Sequence, residues 1–90
     1  MNKRDAMFAK EPFPVTKSEL CNGLLKNLVE AVENPSPFQQ TKSKGFLDML
    51  YSRKCKICLD WFYRNYHNHP SVFVQDIAKK AYDYEKSLIP

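Results

Sequence analysis

The stretch from Phe46 to Tyr66 constrains this chain more than any other. Wound as one helix at roughly 100° per residue, it carries Phe46, Leu47, Leu50, Tyr51, Cys55, Ile57, Cys58, Leu59, Trp61, Phe62 and Tyr66 around well over half its circumference. A surface helix of a small domain needs an apolar stripe of only about 100°. Such a rod is either the buried centre of a bundle or a helix that keeps part of its face for a partner. Its narrow polar side holds Arg53, Lys56, Asp60 and Arg64, with Met49 beside them.

The flanking segments are also helical in pattern. Thr16 and Glu19 fit a capping box, and Val15 with Leu20 fits the hydrophobic staple that accompanies one. Leu20, Leu24, Leu25, Leu28, Val29 and Val32 recur at helical spacing until Glu33-Asn34-Pro35, where proline disfavours helical geometry in the residue before it. Residues 35–44 read as a connection, with Ser36 and Gln39 able to cap at most a short turn. His67-Asn68-His69-Pro70 breaks the chain again. Ser71 then caps a last helix whose apolar face is Phe73, Val74, Ile77, Ala78, Ala81, Tyr84 and Leu88. No alternating strand pattern is present. The expectation is an all-α fold, a small three-helix bundle with helices at about 16–33, 43–66 and 71–88. Residues 15–90 form its one domain, and 1–14 form an irregular N-terminal arm whose Met7, Phe8 and Phe13 are apolar enough to dock on the body.

Composition narrows the setting. A chain of 90 residues with 43% hydrophobic and 13% aromatic content folds, but around a modest core. Two glycines, Gly23 and Gly45, leave no phosphate-cradling loop. Three cysteines, Cys21, Cys55 and Cys58, make a poor disulfide framework, and free thiols suit a reducing compartment, so a cytoplasmic or otherwise intracellular protein is expected. No run of about 18 apolar residues exists to span a membrane.

The sharpest chemical pattern is Cys55-Lys-Ile-Cys58 with His67 and His69 after it, the ligand types of a structural zinc site. The spacing is not that of the common finger. In a continuous helix Cys58 and His67 also stand roughly 13 Å apart at 1.5 Å per residue, while ligands sharing a zinc lie about 2 Å from it. Nothing between Trp61 and Tyr66 is proline or glycine to bring them together. Cys55 and Cys58 read better as small residues on an apolar face, and no metal or cofactor is expected. An enzyme would need a pocket in which His67 or His69 meets a carboxylate or a thiol.

Two binding readings remain. In the first, the protein is a small non-enzymatic regulator or inhibitor that grips a protein partner, with self-association as a special case. It would do so through Met49, Arg53, Lys56, Trp61, Tyr63 and Arg64 of the central helix, among which methionine, arginine, tryptophan and tyrosine are types enriched at interface centres. In the second, it binds nucleic acid. The net charge of +4 and a pI near 9.0 permit an acidic partner. Lys42, Lys44 and Lys54 would contact phosphates, and the last two helices would form a helix-turn-helix presenting Lys79 and Lys80. Asp76, Asp83 and Glu85 weaken this reading by offsetting the positive charge of the last helix.

Overall fold

The structure is a computed structural model, and it describes residues 10–34 and 36–88. Those residues form four helices and no strand: α1 (Glu19–Glu33), α2 (Pro37–Ser52), α3 (Lys56–Tyr66) and α4 (Val72–Ser87). The all-helical expectation holds. The count of three does not, because the rod expected over 43–66 is two helices.

The break is a Schellman turn. The Cys55 N–H donates to Leu50 O at 3.1 Å and the Lys54 N–H to Tyr51 O at 2.9 Å. Lys54 between them is left-handed, with φ of 56°. This pairing satisfies carbonyls that the end of α2 would otherwise leave open. Glycine usually fills the left-handed position because it has no Cβ to clash. Lysine fills it here, so the usual stop signal is missing from the sequence.

The other boundaries shift for local reasons. Ser18, not Thr16, caps α1, accepting the Cys21 N–H at 3.2 Å. Thr16 instead pairs with Asn22, their side-chain oxygens 2.7 Å apart. The cap has moved two residues on, so Val15 and Leu20 do not form a staple, and both are exposed. α2 begins well before the expected Ser43, because Pro37 sits at the first helical position, where its missing N–H costs nothing. Ser43 is then interior and fully buried, its hydroxyl donating to Gln40 O at 2.6 Å. α1 stops at Glu33, and Ser71 caps α4 by accepting the Val74 N–H at 3.4 Å, both as the sequence predicts.

The helices alternate in direction. Cys21 at the start of α1 is disulfide-bonded to Cys55 at the start of α3. At the other end Tyr66 donates to Glu33 at 2.8 Å, so α1 and α3 run the same way. Tyr84 donates to Asp48 at 2.6 Å and Ser87 meets Tyr51 at 3.2 Å, so α2 and α4 end together. Leu25, Leu28 and Val29 of α1 meet Leu47 and Leu50 of α2, Leu59, Phe62 and Tyr66 of α3, and Val74 and Ala78 of α4 in one buried cluster. Dividing the rod lets each half turn its own stripe inward. This leaves Ile57, part of the apolar arc of a continuous rod, in solvent, while Tyr51 keeps one ring face on Tyr84, 4.2 Å away.

The disulfide corrects a second expectation. Cys21 and Cys55 are not free thiols, so the free-thiol argument for an intracellular compartment no longer applies. Only Cys58 is a free cysteine among the described residues. No described helix is long and apolar enough to cross a membrane.

Candidate interaction surfaces

The six residues expected at a partner interface fall in three places. Met49, Arg53 and Lys56 surround the α2–α3 elbow and are exposed. Trp61 lies further along α3, buried beneath residues 12 and 13, and Arg64 beside it is exposed and paired with Glu11. Tyr63 is half-buried on a different side, its ring 4.7 Å from Tyr82 and 5.0 Å from His67.

The elbow combines large exposed apolar side chains with an excess of positive charge. Met49, one turn before the break, is 49% exposed, and Ile57, in the first turn of α3, is 58% exposed. Arg53, Lys54 and Lys56 stand between them in sequence, all exposed. The Cys21–Cys55 bridge draws the start of α1 to the same end of the molecule, adding exposed Leu20 and Lys17, with Glu19 as the neighbouring acid. The sequence pattern places Ile57 and Leu20 on core-facing stripes. They become surface once the rod breaks and the α1 cap moves.

On α3 the arm covers a similar set. The Trp61 indole N–H donates to Pro12 O at 2.9 Å, and Phe13 packs on the indole with ring centres 5.1 Å apart. Arg64 holds Glu11 at 2.6 Å and Asp60 at 2.8 Å, and hydrogen bonds to these two carboxylates, Asp60 first, raise its already high pKa. Buried Asn65 accepts the N–H groups of Lys10 and Glu11, both at 3.0 Å. Phe13 packs against the core, whereas the sequence also allowed a frayed terminus; Met7 and Phe8 lie outside the described residues. Asn65 carried no sequence signal, since an asparagine in a helix shows its partners only once the fold is built.

The lysines expected to meet phosphates sit on two helices and in the elbow. Lys42 lies over the Phe38 ring at 4.8 Å and Lys80 over Tyr84 at 5.7 Å, Lys44 and Lys79 are exposed on separate helices, and Lys54 is in the elbow. The Cys and His candidates are separated as well. Cys55 and Cys58 open α3, whereas His67 and His69 stand beyond its end. Cys55 is bonded to Cys21, and burial pushes the Cys58 thiol up to about 11. No group of three or more potential metal ligands occurs among the described residues.

His69 does meet a carboxylate, with Nε2 3.9 Å from Glu33. Its Nδ1 accepts the Ser71 N–H at 3.0 Å, and Gln75 donates to its carbonyl at 2.6 Å. Both ring nitrogens face the protein, so the group acts as a clasp fastening the end of α1 to the α3–α4 turn. The chain matches no family model, no curated protein and no solved structure.

Proposed function

We propose that this protein is a non-enzymatic binding protein that recognises another protein through the α2–α3 elbow. The observation that carries the reading is the exposure of Met49 and Ile57 beside Arg53, Lys54 and Lys56. Exposed apolar side chains interspersed with cations suit a partner surface of complementary make-up, one that offers both apolar side chains and carboxylates. The arginine and lysine stems also cover apolar area while their charges stay in water. Self-pairing through the elbow would set like charges against each other, which favours a different protein as partner over a second copy.

The disulfide and the Schellman turn supply the rigidity that such a site needs, since both fix the elbow before binding and lower the ordering cost. The test is capture of partners from lysate, with and without nuclease treatment, by the wild-type chain, Ile57→Asp and a control, Tyr82→Asp, at an exposed position away from the elbow. The expected result is a protein retained by wild type and the control and lost with Ile57→Asp. Retention that disappears with nuclease, or falls steeply with salt, would point to phosphate binding instead.

A further inference from the structure

Residues 10–13 lie on α3 as a peptide lies on a receptor. Trp61, Arg64 and Asn65 stand at i, i+3 and i+4, so they share one helix face. Asn65 Oδ1 takes two successive backbone N–H groups, from Lys10 and Glu11. Its own amide donates to Trp61 O at 2.9 Å, which fixes its orientation before any segment arrives. Arg64, braced by Asp60, clamps both carboxylate oxygens of Glu11 at 2.8 and 2.6 Å. Trp61 takes the carbonyl of residue 12 and the ring of residue 13.

These contacts define a ligand. The backbone bonds tolerate any sequence, so selectivity lies in the acidic side chain at 11 and the aromatic ring at 13. The bond at position 12 is to a carbonyl, so proline loses no donor there, and its fixed φ keeps the segment extended. The Glu11–Arg64 pair is about half exposed on each side, at 45% and 47%. Water and salt therefore weaken it, and the arm can exchange.

We propose that this face of α3 is a recognition site for extended segments of the pattern acidic–proline–aromatic. The chain's own Glu11-Pro12-Phe13 fills it in cis, and a partner protein's segment of the same pattern displaces that arm. The site is separate from the elbow, so the two proposals fail or stand apart.

Trp61 is the chain's single tryptophan and reports directly on occupancy. In the 90-residue chain, Glu11→Ala with Phe13→Ala releases residues 10–13 from α3. Glu11→Ala alone serves where the double variant loses its helical circular dichroism. The probe is a synthetic peptide of residues 10–15. Saturable change in Trp61 emission is expected, with affinity about tenfold or more above that of wild type, whose tethered arm competes at an effective concentration on the order of millimolar. A peptide with lysine in place of Glu11 should fail on this variant and bind when Arg64→Glu is added. Absence of saturable binding at millimolar peptide to a helical variant overturns the proposal, as does binding indifferent to the charge exchange.

Discussion

At the elbow, Met49 and Ile57 stand in solvent near three cations, whereas about a turn further along α3 residues 10–13 bury Trp61 and pair half-exposed Arg64 with Glu11. Amino-acid type does not distinguish the two places. What differs is whether a backbone segment with matching groups lies within reach. The arm offers α3 a carbonyl, two N–H groups, a carboxylate and a ring. The elbow is held in shape from within, by a disulfide and two turn hydrogen bonds, and Arg53, Lys54 and Lys56 are in none of the ion pairs among the described residues. One surface is thus filled and the other only shaped.

The largest effect should come from removing what shapes the elbow. Cys21→Ser with Cys55→Ser opens a cross-link between residues 34 apart, and loop-closure entropy puts the loss at about 3–4 kcal/mol. That is a large share of the roughly 5–15 kcal/mol that holds a small domain together. Urea unfolding would measure it. In the folded variant, amide exchange should rise from Tyr51 to Lys56 while Trp61 emission stays that of the wild type. A loss below about 1 kcal/mol would mean that the elbow owes its shape to the turn and core packing alone.

The complementary change should affect the seam and spare the elbow. Asn65 is 1% exposed and its side chain makes three hydrogen bonds. Asn65→Ala removes them, but the N–H groups of Lys10 and Glu11 can turn to water, so the expected cost is about 1–2 kcal/mol. Trp61 emission should shift to the red as the arm lifts, and binding that depends on Ile57 should be unchanged. If Ile57-dependent binding falls as well, the two surfaces are one.

The sequence showed helical segments well where a side chain both favours an end and has no competitor. Ser71 and the Asn34-Pro35 stop are such cases, and α4 and the end of α1 lie where the pattern puts them. It misled where two residues could do one job. Thr16 and Ser18 are both good caps, and only the pairing of Thr16 with Asn22 decides between them. Pro37 reads equally as a breaker and as a first helical residue, and the packing of residues 38–52 decides between the two. The seam was partly legible, since Trp61, Arg64 and Phe13 stand out by residue type, but their meeting across about fifty residues of chain was not. The Cys21–Cys55 bond is of the same kind, because an odd count of cysteines carries no pairing until the helices are in place.

The smallest expected effect tests the feature on which the comparison depends. Lys54 holds a left-handed φ of 56°, a conformation that costs an L-residue roughly 1–2 kcal/mol through its Cβ. Lys54→Gly removes that cost but frees the unfolded chain, which gives back part of the gain. The net expectation is a stabilisation of about 0.5–1 kcal/mol, seen as a higher urea midpoint with unchanged slope. Lys54→Val, branched at Cβ, should lose stability by a similar or larger amount. Both variants lose the lysine charge, so opposite signs for glycine and valine isolate the backbone. Were Lys54→Gly to destabilise by the roughly 1 kcal/mol that glycine costs inside a helix, residues 46–66 would be one rod. Ile57 would then face the core, and the elbow would cease to exist as a surface.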